Sequence, residues 1–106
     1  RLVPVEQAIR MMTSAPASLF GLRDRGVLRV GAHADVVVFD PDTVGSEDAT
    51  LIADLPGDSA RLTAGSIGVE RVLVNGTAIV EHSRATGAVP GTVLHSGRDT
   101  YTVTAV

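Results

Sequence analysis

A short apolar run in the first half of the chain constrains the fold more than any other feature. Residues 36–39 read Val-Val-Val-Phe, the composition of a β-strand that is covered on both faces. Gly31 precedes the run and Asp40-Pro41 follows it, so turn residues bound the strand at both ends. Residues 24–31, which contain two glycines, predict a short edge strand just before it. The chain is therefore expected to be organised around a β core.

A β-hairpin is predicted over residues 69–81. Val69, Val72 and Val74 fall in an apolar strand, and Asn75-Gly76 is the preferred pair for a two-residue type I′ turn. Residues 77–81 would return antiparallel to the first strand. This hairpin supplies the most clearly predicted neighbours for the core.

Two short helices are predicted ahead of the strands. Val5, Ala8, Ile9 and Met12 form one apolar stripe at helical spacing, and Pro4 suits the first helical position. A second helix is expected to start near Pro16, to run to Phe20 and to end with Gly21 at the position after the cap. Helices this short are marginal alone, so they need a surface to pack on.

Residues 41–66 have the least regular pattern. Proline and glycine interrupt this region repeatedly, and it predicts a long loop with one weak strand at residues 50–52. A loop of that length is functional, is mobile or hides an element that the pattern does not show. Later in the chain, residues 93–95 and 101–106 are weaker strand candidates.

Composition excludes several classes of function. The 106 residues allow one domain, and the net charge of −3 is mild and well spread, which argues against a nucleic-acid or membrane partner. No cysteine is present, so a thiolate metal site is excluded. No apolar run reaches the roughly 18 residues of a membrane span, and no signal peptide is recognisable. These features predict a cytoplasmic protein.

No residue pattern predicts a catalytic or metal-binding site. The histidines at positions 33, 82 and 95 lack the close spacing of metal ligands. Asp40 and Asp42 flank a proline, which is typical of a turn whose aspartate accepts backbone hydrogen bonds. The serines, including Ser14, Ser18 and Ser83, do not lie in the Gly-x-Ser-x-Gly motif of a serine hydrolase. Arg61 is the one candidate for substrate binding, since a loop arginine can bind a carboxylate with two hydrogen bonds.

A succession of motifs carries a family resemblance. In order they are Thr-Ser-Ala-Pro-Ala at 13–17, Phe-Gly-Leu at 20–22, Ala-Asp-Val-Val-Val-Phe-Asp at 34–40 and Val-Leu-Val-Asn-Gly at 72–76. This succession resembles the carboxyl-terminal end of the metal-dependent amidohydrolase superfamily. Residues 39–44 and 86–94 also resemble its D-aminoacylase branch, the N-acyl-D-amino-acid deacylases.

The resemblance implies a two-part architecture. The family combines a (β/α)₈ barrel, which binds the metal and carries out the reaction, with a small β-sandwich built from both ends of the chain. Residues 1–22 would be the terminal helices of the barrel, and residues 23–106 the carboxyl-terminal part of the sandwich. The expected fold is thus mainly β, a partial β-sandwich preceded by two short helices. No position here matches the family's metal ligands, so zinc or another divalent metal is expected in the parent barrel only.

Two functions remain open from the sequence. In the first, the chain is a non-catalytic segment of a metal-dependent hydrolase that cleaves the amide C–N bond of N-acyl-D-amino acids. Its partner would then be the rest of the parent chain, and a homo-oligomer is possible through unpaired strand edges. In the second, the chain is a stand-alone β-sandwich module for binding or assembly, without enzymatic activity. The amphipathic helices favour the first, because a self-contained sandwich does not need them.

Overall fold

The computed structural model describes residues 2–104 of the chain. Two helices are followed by eight strands, with a 3₁₀ turn at Pro56–Asp58. The elements are α1 (Val5–Met12), α2 (Ser14–Leu19), β1 (Val36–Phe39), β2 (Gly45–Ser46), β3 (Thr50–Leu55), β4 (Ser59–Thr63), β5 (Ser66–Ile67), β6 (Val69–Val74), β7 (Thr77–Glu81) and β8 (Arg84–Ala85). The structure confirms a mainly β chain with a partial, sandwich-like arrangement of sheets after two short helices.

Both predicted helices form, although their starts differ from the prediction. Pro4 caps α1 instead of occupying its first turn. α2 begins at Ser14, not at Pro16. Pro16 is tolerated in the first turn of this helix, because backbone N–H groups there have no intrahelical acceptor. The end of α2 is as predicted: Gly21 has a φ of 64°, and the Leu22 N–H donates to the Ala17 carbonyl over 2.8 Å. This is the hydrogen bond of a Schellman motif, which satisfies a free carbonyl at the helix end.

The central sheet has four antiparallel strands in the order β1-β6-β7-β8. The predicted hairpin of β6 and β7 is confirmed, and its turn residues Asn75 and Gly76 both have positive φ, 48° and 80°, as a type I′ turn requires. β1 pairs only with β6 in the part of the chain that the structure describes, so its outer edge has no partner there. Val37 and Val38 are 56% and 49% exposed. The prediction that this strand is covered on both faces is therefore wrong for this chain.

The weak strand predicted at residues 50–52 is confirmed as the start of β3, but the prediction that the rest of residues 41–66 is a loop is wrong. A turn at residues 40–44 leads into β2, which pairs with β5, and β3 pairs with β4 farther along the same antiparallel ribbon. A backbone hydrogen bond continues between these two ladders, because the Glu47 N–H donates to the Gly65 carbonyl over 3.0 Å. We call residues 45–67 the arm. Nearly every residue of the arm is exposed.

Two further strand predictions are corrected. Residues 24–31 form successive turns instead of an edge strand, since Asp24, Gly26 and Gly31 all have positive φ, a conformation that extended pairing does not accept. Residues 93–95 are irregular. The tail makes one isolated bridge, Thr100 with Leu22; residues 105 and 106 of the last predicted strand lie outside the described residues.

The chain has very little core of its own. Within residues 2–104, Ala17 is the one apolar side chain that is buried. The chain exposes 8239 Å², whereas a compact protein of its mass, 10.9 kDa, exposes about 5600 Å². Its radius of gyration is 16.5 Å, against about 13 Å for a compact domain of this length. An unusually large share of its apolar surface therefore faces solvent.

Candidate functional site

An apolar cleft lies between the first helix and the first strand. It has a volume of about 490 Å³ and is lined by Val5, Glu6, Ile9, Phe39 and Pro41. Two of the four residues of the predicted helical stripe line it, so the stripe faces an open space instead of a packed core. An open apolar cleft of this kind is suited to receiving apolar side chains from another segment or protein.

Exposed apolar side chains extend along both helices. Met11, Met12, Leu19 and Phe20 are each 60–69% exposed. Single exposed apolar residues are common on monomers, but large ones clustered on two consecutive short helices indicate a contact surface. We call these four residues and the apolar cleft together the helical face. Its apolar side chains are suited to packing against another surface and not to carrying out a reaction.

A polar network, which we call the Arg25 clamp, connects the start of the central sheet to one of its turns. The Arg25 guanidinium donates to Asp35 Oδ2 and, over 3.0 Å, to Asn75 Oδ1. The Asn75 backbone N–H donates to Asp35 Oδ1 over 2.9 Å, and its side-chain amide donates to the Pro90 carbonyl over 2.9 Å. The clamp thereby joins the start of β1, the β6–β7 turn and residue 90.

The electrostatics of the clamp favour an ionised Asp35. Burial raises the pKa of the Asp35 carboxyl, but the hydrogen bonds from Asn75 and Arg25 outweigh burial and hold this pKa below its ordinary value. The Arg25 side chain is mostly buried, so its charge needs this carboxylate. The arrangement positions strands, and no side chain in it is left to bind or attack a substrate.

A second cleft, of about 260 Å³, is lined by charged residues from segments 23–33 and 92–99. Its charges are largely neutralised within the chain: Arg25 pairs with Asp35, Arg29 with Asp24, and Arg98 with Asp99. The hydrogen bonds from Arg98 lower the pKa of Asp99 to about 2. Arg23 lines the same cleft without being part of these ion pairs; its Nε donates to the Thr100 carbonyl over 3.0 Å, and its guanidinium lies over the Tyr101 ring.

Arg61 lies on β4 in the arm, not in a loop. Its Nε and Nη2 donate to the two carboxylate oxygens of Asp54 over 2.8 and 2.7 Å. This pairing lowers the pKa of Asp54 and raises the pKa of Arg61. The side of the guanidinium formed by Nε and Nη2 is thus occupied by a carboxylate of the same chain, and Nη1 is not part of that pair. A substrate role for Arg61 stays a prediction.

The structure also places Asp40 and the three histidines that the sequence analysis considered. Asp40 accepts hydrogen bonds from the Asp42 backbone N–H and the Thr43 hydroxyl, both over 2.9 Å, which confirms its interpretation as a turn residue; these bonds lower its pKa. The His82 ring lies 3.0 Å from Glu70. His33 lines the second cleft. The His95 backbone N–H donates to Asp99.

No metal centre is formed by the described residues. Across positions 2–104, no group of three or more histidine, cysteine, aspartate or glutamate side chains is arranged to hold an ion. The same residues contain no helix that is long and apolar enough to cross a membrane.

Sequence reasoning missed the arm and its Asp54–Arg61 pair. The signal was the Leu-Pro-Gly-Asp run at 55–58, because a Pro-Gly dipeptide marks a turn. The residues on either side of that run are polar and apolar without strict alternation, so their pattern predicts a loop apart from the weak strand at residues 50–52.

Comparison with known proteins relates the chain to one family of enzymes. Residues 1–80 match the sequence profile of a family described as "Amidohydrolase family". An N-acyl-D-glutamate deacylase of Alcaligenes xylosoxydans xylosoxydans is 53% identical over 78 residues, which cover 74% of this chain and 14% of that enzyme.

Two other enzymes of the same organism are also similar. An N-acyl-D-aspartate deacylase is 39% identical over 97 residues, 92% of this chain and 18% of that enzyme. A D-aminoacylase is 39% identical over 93 residues, 88% of this chain and 17% of that enzyme. The chain thus spans less than a fifth of the length of these curated relatives. No solved structure matches it.

Proposed function

The chain belongs to the amidohydrolase family, and we propose that it is the carboxyl-terminal, non-catalytic segment of a larger hydrolase that cleaves the amide C–N bond of N-acyl-D-amino acids. The reaction comes from the names of the similar proteins, all three of which are deacylases or aminoacylases. The chain's own role is to dock on the remainder of the parent and complete its fold.

The observation that carries this role is the excess of exposed surface. The chain exposes about 2600 Å² more than a compact protein of its mass. A standard interface buries about 800 Å² on each partner, so a single ordinary contact with a second copy would cover about a third of that excess. The excess and the open helical face are both explained if a large remaining part of the parent covers them. A stand-alone module explains neither as well.

The metal that the family generally uses does not fit this chain, since the described residues provide no set of ligands for it. We assign zinc or another divalent metal to residues elsewhere in the parent, and derive no step of the reaction from the present chain. A cytoplasmic location is part of the same proposal, and fractionation of the producing cells tests it.

The substrate class is proposed more broadly than any single relative's name. The 53% identity to an N-acyl-D-glutamate deacylase lies in the segment that we propose to be non-catalytic. It therefore does not indicate which amino-acid side chain the substrate carries. Arg61 is the one residue of this chain that we propose for substrate binding. Asp54 orients its guanidinium through Nε and Nη2, and a substrate carboxylate would bind on the side of Nη1.

The test is the intact mass of the natural protein together with a hydrolysis assay on N-acetyl-D-glutamate, N-acetyl-D-aspartate and N-acetyl-D-leucine, with and without a chelator. We expect a protein several times larger than 10.9 kDa that hydrolyses at least one D-substrate and loses activity with the chelator. A natural protein near 10.9 kDa without turnover would refute the proposal and leave the stand-alone module.

A further inference from the structure

The arm carries the whole net charge of the chain. Residues 45–67 contain four acidic residues, Glu47, Asp48, Asp54 and Asp58, and one basic residue, Arg61. The net charge of the arm is therefore −3, equal to that of the entire chain, and the positive and negative residues outside the arm balance. An acidic segment of this size attracts a basic surface and repels another copy of itself.

One face of the arm is apolar and open. Leu51 and Leu62 are direct cross-strand partners in the β3–β4 ladder, and they are 69% and 70% exposed. Successive side chains of a strand point to opposite faces, so the neighbouring pairs, Thr50 with Thr63 and Ile52 with Arg61, lie on the other face. The two leucines and the ion pair of Arg61 thus occupy different sides of the arm.

The ribbon has no third strand. Within the described residues, β3 and β4 pair only with each other, and a lone two-stranded hairpin is marginally stable in water. Its apolar face is also not covered by the four-stranded sheet, as the exposure of both leucines shows. The arm therefore gains stability when a partner covers the leucines.

We propose that the leucine face of the arm docks on the remaining part of the same parent chain, on a surface with an apolar centre and a rim of lysine or arginine. This inference rests on the proposed function. Two copies of the arm packed together would bring −3 against −3, which disfavours a second copy as the occupant. More than four-fifths of the length of the similar enzymes lies outside the matched segment, so the parent offers ample surface for this contact.

The experiment is amide hydrogen exchange on the full-length parent, read by mass spectrometry on peptides from residues 50–63, with the denatured parent as reference. We compare the natural protein with L51E and with T50E, which adds the same charge at the adjacent position on the opposite face. We expect exchange to be at least about tenfold slower than the reference in the natural protein and in T50E, and close to the reference in L51E.

Three outcomes would overturn the inference: an arm that exchanges freely in the natural parent, equal protection in L51E and T50E, and protection that appears only in a dimer at high concentration. A salt titration needs no substitution. In 1 M NaCl, where charges are screened beyond about 3 Å, protection should decrease, and unchanged protection would refute the basic rim. An active parent with an unprotected arm refutes only this inference, whereas a protected arm in a parent without deacylase activity refutes only the proposed function.

Discussion

The two long hairpins of this molecule have the same antiparallel pairing but different surroundings. The β6–β7 hairpin turns through Asn75-Gly76 and has β1 and β8 on its two sides. The β3–β4 hairpin turns through a longer Pro56–Asp58 segment and has no neighbouring strand among the described residues. The first is held by its own sheet and by the Arg25 clamp. Under the proposal made above, the second is stabilised by the remaining part of the parent chain.

This difference shows which parts of the chain specify their own structure. We call the described residues outside the arm the body. In the body, the turn residues and the neighbouring strands favour the same structure, so the local sequence pattern is sufficient to specify it. In the arm, β3 and β4 pair only with each other among the described residues, and our proposal is that a surface of the parent stabilises this pairing. Substitutions in the body should therefore affect stability through contacts within the chain, and substitutions in the arm through contacts with the parent.

The largest effect on stability is expected from an alanine substitution at Gly26, which lies in a close contact outside the arm. A Cβ at Gly26 would lie 2.5 Å from the Ala17 Cβ and 3.0 Å from the Thr13 carbonyl, and φ is 78°. G26A should therefore lower the local free energy of unfolding by about 3 kcal/mol, from backbone strain and overpacking together. Hydrogen exchange on residues 13–27 of the parent measures it.

The matched control for that variant is G57A at the tip of the arm. Gly57 has a similar φ of 72°, but a Cβ there would meet no atom within 4 Å. Only the strain of the left-handed conformation remains, so the cost should be about 1 kcal/mol. Equal losses of unfolding free energy in G26A and G57A would contradict the contrast between the close packing around Gly26 and the open surroundings of Gly57.

The second prediction concerns the pH dependence of the clamp. D35N leaves the mostly buried Arg25 without its carboxylate, and should cost about 2 kcal/mol at neutral pH. The pKa of Asp35 is lower in the folded state than its ordinary value of 3.8, so its contribution is complete above that value and is lost as the pH falls through the lowered pKa. Urea midpoints of the parent, measured against pH, test this.

The natural protein and D35N should therefore converge in acid. D42N is the control, because the same substitution is made at an exposed neighbour of the Asp40 turn. A D35N variant that keeps the full difference from the natural protein below the lowered pKa would exclude Asp35 as the source of the acid sensitivity.

The third prediction tests the arm. If the Nη1 side of Arg61 binds a substrate carboxylate, R61A should raise the KM of the parent for N-acyl-D-amino acids about tenfold and leave kcat unchanged, because a uniform binding interaction is lost. D54N, which removes the charge that orients the guanidinium, should give a smaller rise in KM. An unchanged KM in R61A would restrict Arg61 to its ion pair within the arm.

The same contrast explains how much could be predicted from the sequence. The β6–β7 hairpin, the end of α2 at Gly21 and the turn at Asp40 were predicted because each depends on one or two residues with a strong conformational preference. Most of the arm is not predictable in this way, since its residues show no clean alternation, and only the strand at residues 50–52 is indicated by the sequence. The expected burial of Val36–Phe39 is wrong because the apolar composition predicts neighbours on both sides, whereas among residues 2–104 the strand pairs only with β6.

The same limit applies to the candidate site. The pairing of Arg61 with Asp54 follows from strand register, which the prediction of a loop does not reveal. The Arg25 clamp joins residues that are 10 and 50 positions apart. No local pattern signals contacts over such separations, because they arise only when the sheet assembles.

The smallest predicted effect concerns a turn that lacks the preferred residues. His82 and Ser83 connect β7 to β8 with positive φ values of 47° and 62°, the conformation that Asn75-Gly76 adopts in the neighbouring hairpin. Asparagine tolerates this conformation better than histidine does. H82N should therefore raise the free energy of unfolding by about 0.5 kcal/mol, even though it removes the exposed contact with Glu70.

The measurement for H82N is the urea midpoint of the parent, with H95N as the control because His95 is not among the residues with positive φ. A gain for H82N but not for H95N would show that turn chemistry limits the outer strand of the body, and that the body can be improved without any partner. A loss for H82N would mean that the pairing of His82 with Glu70 outweighs the backbone conformation. In that case the β7–β8 turn, like the arm, would depend on a side-chain contact that its local pattern does not show.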